Sequence, residues 1–335
     1  MKRRFFVILL TLAISMALAA CSRTTDSSGS SSSGSPQSQS PDQQVKIAMV
    51  CTGAVNDGGW NASAYDGLMR IQEELGVEVA YSEKVAVAEI PNTLRTYARQ
   101  GFSLIFGHGA EFAEPMTLVA PEFPEVQFVA LNSTVEGENL SSTTFKFGEC
   151  GYFCGMAAAL VSQTGKIGII PPDDAPNNKA DTDGYRLGAQ AVNPDIEVMV
   201  AYTGSWDDLT KAKECAESLI SQGCDVLLAL GDAYAVGVYQ ACEENGIHAI
   251  GWVSDQRSLS DTIICSGIQS VADVYVITAQ SFLDGTFTPG VNVYGMADGA
   301  QSMSEFYGLT EEQAAQIEQA MQQYLDGEIE IPTVA

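Results

Sequence analysis

Six short stretches of this 335-residue chain hold the residue types that could do chemistry: Asn56-Asp57-Gly58-Gly59-Trp60, Gly107-His108-Gly109, Asn132-Ser133, Gly204-Ser205-Trp206-Asp207, Gly231-Asp232 and Ser254-Asp255-Gln256. Carboxylates and amides can fix a neutral solute by hydrogen bonds, and an indole offers a flat wall to a ring. Stacking a base on such a wall is worth roughly 1–3 kcal/mol. Trp206, in the turn YTGSWDD (202–208), could instead cap a lobe core or a helix end. Carboxylates can also move protons, but catalysis needs a set, and no set assembles. The chain has only two histidines. His108 could touch a ligand or cap backbone, and His248 opens a strand. There is no Cys–His or Ser–His–Asp arrangement at family-like spacing and no G-x-S-x-G. Gly107-x-Gly109 lacks the third glycine of a dinucleotide fingerprint. The DTDG of 181–184 has part of a calcium-loop pattern, but Lys179 stands at the first ligand position. The expectation is a binder of a small molecule, not an enzyme, with no cofactor and no metal.

These stretches lie just after apolar strands because the chain alternates strand and helix from residue 45 onward. Strands are expected at 45–50, 77–81, 103–109 and 126–132. Helices are expected at 61–75, 90–100 and 116–120; in the first, Ala64, Leu68, Ile71 and Leu75 share a face. The grammar then restarts, with helices at 151–162, 182–191, 209–222 and 235–245 and strands at 166–170, 196–202, 225–230 and 248–253. The tail adds a strand at 262–268, a helix near 270–284 and an amphipathic helix at 310–326. This is α/β architecture: two doubly wound parallel-sheet lobes, with the tail crossing back to complete both. Ligands bind outside the carboxyl ends of such strands, so two lobes face to face make a cleft, and the six stretches should line it.

The first 21 residues read as a leader. Lys2, Arg3 and Arg4 precede an apolar run that is short for a membrane span. Leu18-Ala19-Ala20-Cys21 resembles the lipobox of bacterial lipoproteins, in which the cysteine carries lipid. Residues 22–44 are mostly Ser, Gly, Pro and Gln with almost no apolar residue, and should be a flexible tether. The body would then sit lipid-anchored on the extracytoplasmic face of the cell membrane. Sixteen Lys and Arg face 42 Asp and Glu, a formal net charge of −26, which repels phosphate backbones and argues against a nucleic-acid partner. Seven cysteines remain besides Cys21, an odd number without C-x-x-C spacing, and are expected to be mostly buried thiols.

Several blocks in order then carry a resemblance that spans nearly everything after residue 45: NDGGWNASAYDGL (56–68), GYFCGMAAAL (151–160), TGKIGII (164–170), AVNPDIEV (191–198), YTGSWDD (202–208), AESLISQGCDV (216–226) and SDQ (254–256). The chain resembles the basic-membrane-protein (BMP) family of substrate-binding lipoproteins, which includes purine-nucleoside receptors of ABC importers. The resemblance implies the periplasmic-binding-protein type I fold, two lobes joined by three crossover strands and a closing hinge. It implies a first lobe of 45–132 and about 269–290, and a second of about 145–268 and 291–335. It implies that Asn56 and Asp57 hydrogen-bond the ligand, that Trp60 lies near it and Trp206 stacks on it, that Gly231-Asp232 lines the site, and that Gln269 reaches it from the hinge. The partners implied are a nucleoside-like ligand and an ABC permease, with the protein a monomer. Asp255, His108 and Asn132 complete the candidate set. Three positions depart from the nucleoside receptors. Asn132 and Val253 stand where those have Asp, and Gln269 where they often have Lys. Changed donor and acceptor polarity at a buried contact costs about 1–3 kcal/mol, so a different solute, such as a sugar, stays open. So does a role as a sensor for a membrane kinase.

Overall fold

The structure, a computed structural model, describes residues 45–57, 59–231 and 233–333. The leader, Cys21, the tether and Asp232 lie outside the described residues. Along the first lobe run β1 (Lys46–Cys51), α1 (Trp60–Leu75), β2 (Glu78–Ser82), α2 (Ile90–Arg99), β3 (Leu104–His108), α3 (Ala113–Val119), β4 (Gln127–Leu131) and β5 (Leu140–Phe145). Then come α4 (Glu149–Val161), β6 (Lys166–Ile170), α5 (Pro176–Val192), β7 (Glu197–Val200), α6 (Leu209–Ser221), β8 (Val226–Ala229), α7 (Ala235–Asn245), β9 (His248–Val253) and β10 (Ile263–Gln269). The tail supplies α8 (Val271–Leu283), β11 (Val291–Tyr294), β12 (Gln301–Met303) and α9 (Glu311–Leu325).

One sheet has the order β2-β1-β3-β4-β5-β11 and is parallel throughout. The other, β7-β6-β8-β9-β10-β12, is parallel except for β12, which runs antiparallel at the edge. Helices cover both faces of each sheet, so the central strands are apolar on both sides, as in Lys46–Cys51 and Val226–Ala229. Each sheet thus holds two apolar clusters, one on either face. Burying each large side chain there contributes roughly 1.5–3 kcal/mol. All seven cysteines from Cys51 to Cys265 are buried thiols within these layers, as expected.

The chain passes from one sheet to the other three times: β5 to α4, β10 to α8, and β11 to β12. After the second pass α8 packs on α1 of the first lobe, so closely that a Cβ on Gly67 would stand 2.8 Å from the Ala272 backbone. The helices α4 and α5 approach more closely still. A Cβ on Gly188 would lie 1.8 Å from the Tyr152 carbonyl, so the small-residue run of α4 is a helix-packing face.

Three strands have no counterpart in the sequence reading. Leu140–Phe145 is LSSTTF, wholly buried yet rich in hydroxyls, so it shows no apolar signal. Val291–Tyr294 and the three-residue Gln301–Met303 are edge strands too short to show a period. Both β5 and β11 pair within the first sheet, although they fall outside the segments assigned to the first lobe above. One helix begins earlier than expected. It starts at Pro176, where a missing N–H costs nothing, rather than near 182. That shift matters for the site, because it brings 177–181 onto a helix that borders the cleft. It also puts residues 181–184 in that helix rather than in a metal-binding loop.

Candidate functional site

A cavity of about 1060 Å³ lies at the carboxyl ends of the strands of both sheets. Its first wall follows β1, β3, β4 and β5: Asp57, Gly59, Trp60, Gly109 to Glu111, Asn132, Phe145 and Phe147. The second wall follows β6 to β10: Asn177, Asn178, Asp181, Ser205 to Asp207, Leu230, Gly231, Trp252, Val253, Gln256 and Gln269 among others. A smaller cavity of about 580 Å³ lies elsewhere, around Lys146, Glu149 and Tyr324, and holds none of the strand-end loops.

Trp60 opens α1, and its ring stacks on His108 at 4.6 Å with 26° between the planes. His108 is 1 % exposed and does not line the cavity. Its Nε2 pairs with the Trp60 carbonyl at 3.0 Å, and its Nδ1 with the Tyr275 hydroxyl at 3.2 Å. Burial pushes the imidazole down to about 4, against the Trp60 carbonyl and Asp57, which favour the charged form. His108 is thus a neutral support behind Trp60, and of the two roles open to it the structure takes the structural one.

Asp57 lines the cavity with its carboxylate already engaged. It accepts from the N–H groups of Gly59, Asn61 and Ala62 and from the Asn61 amide, at 2.7–3.1 Å. These are the orphan donors at the start of α1. Burial alone would raise its pKa; the hydrogen bonds, led by the Asn61 amide, outweigh that and hold it below the usual carboxylate range. Asn56 is exposed and off the cavity. Asp255 is also off it. Its carboxylate accepts from the Tyr307 hydroxyl at 2.6 Å and the Arg257 N–H at 3.1 Å. Its neighbour Gln256 takes the wall position instead. Gln256 is buried, and its Oε1 accepts from the Tyr239 hydroxyl and from the Trp252 N–H at 3.3 Å.

Trp206 is 53 % exposed, lies outside the core clusters and borders the cavity, so it is a wall and not a plug for the core. The turn that carries it is set locally. Gly204 has φ +68°, the Thr203 hydroxyl donates to the Ser205 carbonyl at 2.6 Å, and the Ser205 hydroxyl donates to Asp207 at 2.7 Å. Asp208 then caps α6 through the Lys211 N–H.

Asn132 and Val253 end equivalent strands of the two sheets, line the cavity, and both have left-handed backbone, φ +56° and +71°. Asn tolerates that region, but a β-branched valine does not, and such strain costs about 1–3 kcal/mol. Gln269 lines the cavity at the second crossover. Its Nε2 reaches the Gln301 Oε1 at 3.4 Å, and the Gln301 Nε2 reaches Glu149 at 3.0 Å.

The sequence reading missed Asn177, Asn178, Asp181 and Phe147, and within the 254–256 stretch it chose Asp255 where Gln256 lines the cavity. The strand-end rule pointed to the first three, because β6 ends at Ile170 and the segment that follows must meet the cleft. Placing the helix start near 182 hid them. Among the described lining residues none is Lys, Arg or His. The site can therefore accept and donate hydrogen bonds and stack rings, but offers no cation to an anionic group.

Two parallel-sheet lobes with a cavity at their strand ends define a solute-binding protein of the periplasmic-binding-protein type. The family described as ABC transporter substrate-binding protein PnrA-like, Bmp, matches residues 44–334, and the chain belongs to it. One relative, "Transcriptional activator protein med" of Bacillus subtilis, is 35% identical over 80% of this chain and 84% of its own. Another, "Purine-binding protein BAB2_0673" of Brucella abortus, is 29% identical over 86% of this chain and 83% of its own. The crystal structure of a transcriptional activator of the comK gene from Bacillus halodurans superposes with a TM-score of 0.79, at 34% identity, covering 86% of this chain and 99% of that one.

Proposed function

We propose that this chain is the lipid-anchored receptor of an ABC importer and captures a neutral purine nucleoside or a related purine compound. The carrying observation is one cavity with Trp60 on one wall and Trp206 and Trp252 on the other, edged by amides and carboxylates and, among the described lining residues, without a cationic side chain. Indoles on both walls suit a flat heterocycle, and the amides and carboxylates suit the hydroxyls of its sugar. A nucleotide is disfavoured, since its phosphates would face Glu111, Asp181 and Asp207 with no counter-charge among the described lining residues. The purine named for the Brucella relative supports the heterocycle. A cavity of this volume lies just above the range of small-molecule sites, roughly 300–1,000 Å³, which suits lobes that close on their ligand by bending at the three crossovers. Lipid at Cys21 and the tether 22–44 would hold the body beside its permease.

The name of the Bacillus subtilis relative raises a second reading, transcriptional activation. A formal net charge of −26 works against DNA contact. A gel shift in low salt with promoter fragments separates the two.

The test is a thermal-shift screen of residues 45–335 with nucleosides, free bases, nucleotides, sugars and amino acids. A binder of the folded state raises the melting temperature by mass action. Purine nucleosides are expected to shift it and their phosphates not to. A shift with sugars or amino acids alone would remove the nucleoside reading.

A further inference from the structure

The second wall holds one carboxyl whose burial the solute-binding role has not yet used. Asp181 lies on α5, is 3 % exposed and borders the cavity. Its Oδ1 accepts the N–H of Gly148 at 2.7 Å. Gly148 precedes α4, in the first crossover between the lobes, and holds φ +107°. Among the described residues nothing donates to Oδ2, and no Lys, Arg or His pairs with the group. The contrast with Glu149, one residue further along the same crossover, is sharp. That carboxylate accepts from the Met296 N–H at 2.7 Å, the Gln301 amide at 3.0 Å and the Tyr324 hydroxyl, with the Lys146 Nζ 3.4 Å away. One buried carboxyl is saturated with partners. The other keeps an oxygen in reserve where a solute would lie.

We propose that Asp181 is the ionisable recognition group of the cleft, accepting a hydrogen bond from a hydroxyl or N–H of the bound solute at Oδ2 while Oδ1 holds the crossover at Gly148. The inference rests on the solute-binding reading above. A solute that donates to the carboxylate stabilises its ionised form, so capture draws the group toward ionisation and releases a proton. Burial, opposed by the Gly148 N–H and reinforced by the charge of Glu149, raises the free carboxyl to about 7. The other titratable groups facing it from α4 are the thiols of Cys150 and Cys154, both pushed well above their ordinary range by burial. His108 stays neutral down to about pH 4. The solute-linked titration expected between pH 5.5 and 8 is that of Asp181, which shares the cavity with Asp57, Glu111 and Asp207, and affinity should rise with pH.

The experiment is calorimetric titration of the full chain in mild detergent with adenosine, guanosine and inosine at pH 5.5, 6.5, 7.2 and 8. It is run in buffers of differing ionisation enthalpy, so that proton release is read directly. The expected result is binding more than tenfold weaker at pH 5.5 than at pH 8, with net proton release near neutral pH. Asp181→Asn keeps an acceptor for Gly148, and should bind about tenfold more weakly at pH 8 with a flat profile. Nucleoside binding by the unaltered chain that is flat across this range, or an unchanged slope in Asp181→Asn, overturns the proposal and leaves the nucleoside reading standing. If no nucleoside binds at any pH but another screened solute does, the nucleoside reading falls, and the pH profile of that solute decides for or against Asp181.

Discussion

The two walls of the cleft use the same side-chain types in opposite ways. On the first wall Trp60 and Asp57, with His108 behind them, are already committed. Trp60 stacks on His108, His108 bonds to the Trp60 carbonyl and to Tyr275, and Asp57 caps α1. On the second wall Trp206 stands in a polar turn at 53 % exposure, and Asp181 has used one oxygen of two. The first wall is a preorganised platform whose groups also stabilise the lobe. Trp206 and the second oxygen of Asp181 keep their free energy for the ligand, because groups without protein partners lose little when a solute takes them. Stability and affinity should therefore separate by wall.

The largest effect expected is at Asp181. A buried carboxyl whose folded-state pKa is raised to about 7 stabilises the fold fully below its unfolded value near 4. It loses that contribution as pH rises through about 7. Asp181→Asn should raise the stability at pH 8 by on the order of 2–4 kcal/mol and change little at pH 4. Denaturant melts at the two pH values check this, and equal stability at pH 8 would break the contrast between the walls. The paired test comes next. Trp60→Ala should cost about 2–3 kcal/mol of stability as well as affinity, since it uncovers His108. Trp206→Ala should leave the melting temperature in place and weaken nucleoside binding by more than tenfold, from roughly 1–3 kcal/mol of stacking. If both substitutions move stability alike, the walls do not differ in kind. The smallest effect is at Val253. Val253→Gly removes a β-branched side chain from φ +71° and should stabilise by about 1 kcal/mol, a rise of roughly 2 °C. A lowered melting temperature would show that apolar contact outweighs the strain.

Much of this was legible in the residues. The alternating apolar runs and amphipathic segments mark the two α/β lobes, because sheet strands buried on both faces need unbroken apolar stretches and their covering helices need one apolar face. The strand-end rule located the loops that carry Trp60, Asn132, Trp206 and Gln256 before any coordinate. Where the pattern was weak it failed: β5 is buried but polar, and α5 begins with Pro, Asn, Asn and Lys.

The commitments of the polar groups were not legible at all. Asp57, Asp181 and Asp255 look alike as letters. Only the fold places one on a helix N-terminus, one against the Gly148 N–H 33 residues away, and one under the Tyr307 hydroxyl 52 residues away. His108 likewise becomes a support because Trp60, 48 residues back, and Tyr275, 167 residues on, enclose it. Local sequence sets backbone periodicity through propensity and hydrophobic pattern. Whether a polar side chain remains free for a ligand depends on burial and on partners brought together across the sheets, and the tertiary structure alone decides that.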